Sequence, residues 1–278
     1  MNDPIFCFII ASIDVGWLEL LASLALLAVT LVISAVLKLQ IEKSVIAASF
    51  RAAIQLLAVG FLFTAIFDHD LAKTWAWIWV GLMIVIATLV VERRAPEIDG
   101  IRSPTFLSVS VSVATTLGII FPLGIFDAEA VNIVVIAGIT IGNIMPATVL
   151  AVQELQNQFR LRKGEVESLL ALGAGMTKIR RFLCPTIIKL AITQQIERTK
   201  VVGLIALPGA MTGLLLAGVD PLDAVIIQLI VMYMILGGTV VTASIVVWFG
   251  SRNAFTTCLL YTSPSPRDRT RSRMPSSA

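Results

Sequence analysis

The residues of this chain best suited to binding a partner lie in residues 153–200, one long polar segment of an otherwise apolar sequence. A short amphipathic helix is predicted near its middle, with Glu165 in the first turn, where the helix dipole favours acidic side chains. Gly173 can adopt the backbone conformation that ends such a helix. An ordinary surface helix without a partner is the alternative. The residues we expect to contact a cytosolic partner are Glu165, Glu167, Leu169, Leu170, Ala171, Gly173 and Ala174.

Polar side chains inside predicted membrane spans form a second group. Arg51 and Gln55 are one helical turn apart in the second span. An arginine within a span is costly and usually faces protein or water, which suits a transport path. Alternatively, Arg51 reaches the nearby inner surface through its flexible side chain. Gln228 in the last span has the same ambiguity as Gln55.

Two further stretches are suited either to a transport path or to close helix packing. Pro208 removes a backbone hydrogen bond within a predicted span, and Gly209 adds local freedom, which favours a broken helix with exposed carbonyls. Gly138 and Gly142 have the spacing of closely packed membrane helices. The candidates for path or packing are Arg51, Gln55, Gly138, Gly142, Asn143, Met145, Pro208, Gly209, Met211, Gly213 and Gln228.

Residues for catalysis or metal binding are scarce. The sequence has no glycine-rich phosphate-binding loop of the G-x-x-x-x-G-K-[ST] type. One histidine and three cysteines without paired spacing do not suit a catalytic group, a zinc site or a disulfide framework. We therefore expect no enzyme activity, metal site or cofactor in this chain. Energy for transport must come from a partner or an ion gradient.

The elements that carry these residues are predicted to be membrane-spanning helices. Hydrophobic residues make up 57% of the 278 positions and charged residues 14%, with a mean hydropathy of +0.92. Only lipid can shelter that much apolar surface, and uncharged runs of about 18 residues or more cross it as helices. The predicted fold is all-α and polytopic, with about seven spans at 17–37, 45–67, 74–91, 105–125, 131–152, 201–219 and 222–249.

The basic residues predict the orientation. They concentrate after spans one, three, five and seven, whereas Lys73 alone lies among acidic residues on the opposite side. The positive-inside rule therefore predicts an outer N-terminus and an inner C-terminus, with the segment 153–200 on the cytosolic side between spans five and six.

Residues 178–196 have the spacing of an amphipathic helix, expected either at the inner interface or as the start of a sixth span bent at Pro185. We expect one membrane domain over residues 1–255. The Ser-, Pro- and Arg-rich residues 256–278 are predicted to be a disordered, non-native tail.

Four motifs resemble those of one family. They are ESLLALGA at 167–174, TKVVGLIALPGAMTGLLLAGVDP at 199–221, RAAIQL at 51–56 and AGITIGNIM at 137–145. The chain resembles the FetB family over roughly residues 20–250. These proteins are permease subunits of ABC transporters and include bacterial iron exporters and plant aluminium-sensitivity membrane proteins.

The resemblance implies a permease that works with a separate ABC ATP-binding subunit, which would bind ATP and Mg²⁺. Residues Glu167 to Ala174 would then be the coupling helix that seats in a groove of that subunit. By analogy with the family, two permease copies would form the transporter, located in a plasma or inner membrane or an organellar membrane. Iron or another metal would be exported, and no nucleic-acid partner is expected.

Three alternatives stay open. An ABC permease for a small organic solute, such as a nucleotide sugar, is equally compatible with Arg51. A membrane scaffold or regulatory protein would recruit its partner through the polar segment without transport. A secondary transporter would ordinarily need an intramembrane carboxylate, and spans three to five contain none apart from their ends.

Overall fold

The computed structural model describes residues 17–67, 71–94, 98, 100–205 and 207–260. Most of these residues are helical and the rest connect the helices, which confirms the all-α prediction. The helices are α1 (Trp17–Leu37), α2 (Glu42–Phe67), α3 (Ala72–Arg94), α4 (Arg102–Ile120), α5 (Ala130–Leu161), α6 (Lys163–Ala171), α7 (Met176–Val201), α8 (Gly209–Leu216) and α9 (Pro221–Leu260).

Five of the described helices, α2, α3, α4, α5 and α9, are long and apolar enough to cross a membrane. A shorter apolar stretch, Leu24–Leu37, lies within α1. Six of the predicted spans therefore coincide with helices, because an uncharged run of this length satisfies its backbone groups only as a helix in lipid. The predicted orientation and the count of seven spans stay predictions.

The predicted span 201–219 is wrong as a continuous helix. After Val201 the chain turns, and only the eight residues of α8 are helical before the next turn. Pro208 lacks the amide hydrogen that a helix interior requires. Gly203 and Gly218 have φ values of +86° and +83°, a left-handed conformation that helical L-residues avoid. The interruption at Pro208 matches the broken helix predicted from the sequence.

The amphipathic helix predicted over 178–196 is present and longer than expected, since α7 continues through Pro185 to Val201. At the other end of the chain, α9 extends to Leu260, past the predicted start of the tail at residue 256. The rest of that tail, residues 261–278, lies outside the described residues.

The helices fall into two compact units. The smaller unit contains α1, α2, α8 and the first residues of α9, up to Val225. Within it, the buried Ser34 hydroxyl donates a 2.7 Å hydrogen bond to Glu42 Oε1 and so ties the end of α1 to the start of α2. The larger unit contains α3 to α7 and α9 from Ile226 onward.

The main core of the larger unit lies at one end, where α3 and α5 end and α4 and α7 begin. We name this the coupling end. Its buried side chains come from five helices and the α3–α4 connection, and the helix α5 packs most extensively against α7. The fully buried members include Val91, Ile101, Leu155, Val166, Ile179, Leu183 and Ile187.

Candidate functional site

The helix α6 forms at the coupling end, in the centre of the polar segment. It ends as the sequence predicted, because Gly173 has a φ of +78°. The Gly173 amide donates to Leu170 O and the Ala174 amide to Leu169 O, both at 2.9 Å. These two bonds satisfy carbonyls that a helix end otherwise leaves free, and they form a Schellman motif. The short helix is therefore sharply terminated.

One side of α6 is anchored in the core and the other is exposed. Val166 is fully buried, and Leu169 and Ala174 pack against the same core. Two leucines of the segment are exposed: Leu172, just past the helix end, is 83% exposed, and Leu170, one turn after Val166, is 39% exposed. The other exposed candidates of this segment are Glu165, Glu167, Ala171 and Gly173. An exposed apolar patch on a well-anchored helix is suited to docking another protein.

The charges on α6 are paired locally and remain exposed. Glu167 lies 3.7 Å from Lys163, and Glu165 lies 3.9 Å from Arg162. Such surface pairs contribute at most about 1 kcal/mol to stability, so both carboxylates stay available to a partner. Arg162 also lies over the Phe182 ring at 5.7 Å, which connects the α5–α6 turn to α7.

A buried arginine joins α7 to α9, a contact that the sequence reading missed. Arg180 is only 7% exposed; its Nε donates a 2.8 Å hydrogen bond to Ser251 Oγ, and a second nitrogen donates to Trp248 O. Its guanidinium carbon lies 4.3 Å from the centre of the Trp248 ring. The donor geometry and the stacking suit arginine better than lysine.

The pKa values of two side chains at this joint reflect their burial. Desolvation lowers the pKa of Arg180, with the Cys184 thiol acting in the opposite direction. Burial raises the pKa of the Cys184 thiol, which the Ser251 hydroxyl and Arg180 partly offset. The thiol is therefore neutral near pH 7, and Arg180 supplies the charge of the joint.

The candidates on α5 have different surroundings. A side-chain carbon added at Gly138 would lie 3.4 Å from Met83 Cε of α3, whereas nothing lies within 4 Å of the same point at Gly142. Asn143 donates a 2.8 Å hydrogen bond to Ile139 O within its own helix, and Met145 is half-buried. Close packing is thus present at Gly138, and Gly142 is exposed.

Gln228 on α9 is buried, with 5% of its surface exposed, and its Oε1 has no hydrogen-bond partner among the described residues. Ten residues further on, Gly238 is in close contact with α4, because its carbonyl accepts a 3.0 Å hydrogen bond from Ser112 Oγ. A side-chain carbon at Gly238 would lie 3.0 Å from that hydroxyl oxygen. The contact at Gly238 was not predicted from the sequence.

The remaining candidates belong mostly to the smaller unit. Arg51 and Gln55 are exposed on α2. Gly209 and Gly213 are exposed on α8, with Met211 half-buried between them, and Pro208 precedes that helix. The candidates predicted for a path thus lie on four helices, α2, α5, α8 and α9, and on the connection before α8, and among the described residues they form no single polar pocket within either unit.

The larger unit contains a cavity of about 450 Å³ between α4 and α9. Its wall includes Thr115, Thr116 and Tyr233, but most of the lining is aliphatic. Among the described residues, no three histidine, cysteine, aspartate or glutamate side chains lie close enough together to hold a metal ion. The described residues that line the cavity include no histidine, cysteine, aspartate or glutamate.

Comparison with known proteins identifies relatives over most of the chain. The chain is 31% identical over 231 residues to the UPF0014 membrane protein STAR2 of Oryza sativa subsp. japonica, covering 82% of this chain and 80% of the relative. It is 30% identical over 229 residues to the UPF0014 membrane protein YjkA of Bacillus subtilis, covering 82% and 91%. A third relative is the Escherichia coli protein named Probable iron export permease protein FetB, at 30% identity over 218 residues, covering 78% and 84%.

No solved structure matches the chain. The model of the Uncharacterised protein family (UPF0014) matches residues 17–255, which contain the nine helices of the described residues except the last residues of α9. The relatives include the protein named Probable iron export permease protein FetB, as the resemblance implied. With this match and its several membrane-length helices, the chain belongs to the UPF0014 family of integral membrane proteins.

Proposed function

We propose that this chain is the membrane-spanning subunit of an ABC transporter that exports iron or another metal, driven by a separate ATP-binding subunit. The name of the FetB relative supports the transport role. ATP and Mg²⁺ would bind to the partner, and two copies of this chain would complete the transporter. The predicted orientation, with the C-terminus inside, would expose the coupling end to the cytosol.

The observation that carries this proposal is the construction of α6. A docking helix must present a surface to its partner and also transmit force to the membrane helices. The exposed Leu170 and Leu172 supply the surface, and the buried Val166 supplies the anchor. Since α6 follows α5 by a single residue and shares a core with α7, a displacement of α6 would move both helices.

The experiment is co-purification of the ATP-binding subunit with a Glu167→Lys variant. The substitution reverses an exposed charge beside Lys163, so we expect at least tenfold less ATP-binding subunit with unchanged membrane insertion. Leu172→Asp, which removes the most exposed apolar side chain of the segment, is expected to have the same effect.

The matched control is Glu129→Lys, which makes the same charge change at an exposed position before the opposite end of α5. It should retain the ATP-binding subunit at the unmodified level. Normal co-purification of both Glu167→Lys and Leu172→Asp would refute the docking role of α6.

An ABC permease for a small organic solute is the second candidate. The mostly aliphatic cavity between α4 and α9 favours it over the remaining alternatives, because such a wall accommodates part of an organic molecule and its polar side chains carry only hydroxyl groups.

A further inference from the structure

The second half of α7 lies beside the apolar part of α5. The helix α7 begins at the coupling end, where α5 ends, and the two share a core from Ile179 to Ala191 on α7 and from Val149 to Phe159 on α5. They therefore run antiparallel. From Ile187 to Val201 the helix advances by about 21 Å, at about 1.5 Å per residue.

The neighbouring part of α5 is the part suited to lipid. Residues 130–152 of α5 contain no charged side chain, and α5 is one of the helices apolar enough to span a membrane. Packing of α7 continues beyond Ala191, since Gln195 is only 7% exposed. The last turns of α7 thus lie beside the apolar part of α5, a helix long enough to span a membrane.

This half of α7 is too polar to face lipid. The helix is not among the described helices apolar enough to cross a membrane. From Lys189 to the end of α7, the exposed polar side chains are Lys189, Thr193, Gln194, Glu197, Arg198 and Lys200. A charged side chain in the centre of a lipid-facing helix costs about 2.5–3.5 kcal/mol, so such groups face protein or water.

The charges on this face are unbalanced. Glu197 is paired with Lys200 at 2.7 Å, whereas Lys189 and Arg198 have no acidic partner among the described residues. Three cations against one carboxylate leave an excess of two positive charges. A polar face with excess positive charge, beside the apolar part of α5, concentrates anions and repels cations.

We propose that the exposed face of α7 from Lys189 to Lys200 lines an aqueous path that selects anionic substrates, an inference that rests on the transport function proposed above. A metal would then cross as an anionic complex rather than as a bare cation. An anionic organic solute would meet the same selection.

The test is cysteine labelling in proteoliposomes, which requires no ATP-binding subunit. Thr193→Cys and Gln194→Cys are made in a chain whose three native cysteines are replaced. Both should react with a small, membrane-impermeant anionic methanethiosulfonate. A maleimide carrying a polyethylene-glycol chain of several kilodaltons should react only after denaturation, because a narrow path excludes it.

The control is Val135→Cys, which is 46% exposed in the uncharged part of α5 and should resist both reagents. Reaction of Thr193→Cys and Gln194→Cys with the large maleimide in the folded protein would place α7 on an open surface and overturn the proposal. Resistance to both reagents would mean that lipid or protein covers the face, which also overturns it.

Selection for anions is tested with a cationic methanethiosulfonate of similar size. At Thr193→Cys the anionic reagent should react about tenfold faster than the cationic one, after correction for their rates with a free thiol. Combining Lys189→Gln with Arg198→Gln should remove that preference. Equal rates for the anionic and cationic reagents at Thr193→Cys, with Lys189 and Arg198 intact, would refute anion selection. Such a result would leave the docking role of α6 untouched, since co-purification tests that role separately.

Discussion

At the scale of single residues, Arg180 determines how α7 is held. Its guanidinium is nearly enclosed, and its two hydrogen bonds reach residues 68 and 71 positions further along the chain. Partners so distant in sequence cannot be inferred from periodicity, and Arg180 looked like one more basic residue of a polar segment. By contrast, Gly173 was predicted correctly, because a glycine after an apolar helical stretch is a local signal.

Arg180→Ala should destabilise the larger unit. The substitution removes two hydrogen bonds donated by a charged group, one to the Ser251 hydroxyl and one to the Trp248 carbonyl. We expect the free energy of unfolding to fall by about 2–4 kcal/mol. The thermal unfolding midpoint of the purified protein in detergent measures this. Arg181→Ala is the matched control, since its side chain is exposed and has no acidic partner among the described residues. Equal midpoints for the two variants would show that the Arg180 joint does not stabilise the fold.

At the scale of elements, six of the seven spans predicted from apolar runs coincide with helices, because membrane length and lack of charge are properties of contiguous sequence. The prediction of a continuous span over 201–219 was wrong, because hydropathy does not detect the helix-breaking effect of Pro208 or the left-handed backbone at Gly203 and Gly218. The full length of α7 was not predicted from the sequence, because the hydropathy of this segment is low. Its polar residues obscured a helix whose buried side packs along α5.

The packing of α9 against α4 and α5 gives an element-scale prediction. Gly238→Leu should lower stability by about 1–3 kcal/mol, because the new side chain would begin 3.0 Å from Ser112 Oγ and 3.4 Å from Ile144 Cγ2. The adjacent Gly237→Leu is the matched control, since nothing lies within 4 Å of the corresponding point there. Thermal unfolding of both variants checks this; a loss at Gly237 as large as at Gly238 would contradict the packing argument.

At the scale of the whole molecule, membrane-length helices are combined with an anchored surface helix, as the proposed transport function requires. Its sequence has no phosphate-binding loop of the P-loop type, and its family includes a protein named as an iron export permease. The helix α6 supplies an anchored surface, and Arg180 links α7 to α9 at the same end. Motion imposed on α6 would reach α5 directly and α9 through α7, which is what coupling to an external ATPase requires.

The most direct test of this account is ATP hydrolysis by a complex of this chain with an ABC ATP-binding subunit, reconstituted in liposomes. Ferric citrate, ferrous ion and a nucleotide sugar are compared as substrates. We expect a stable complex whose hydrolysis rises severalfold with an anionic substrate, and no such rise with Glu167→Lys. Failure of the two proteins to form a complex, under conditions where each inserts and folds, would contradict the claim that this chain is an ABC permease.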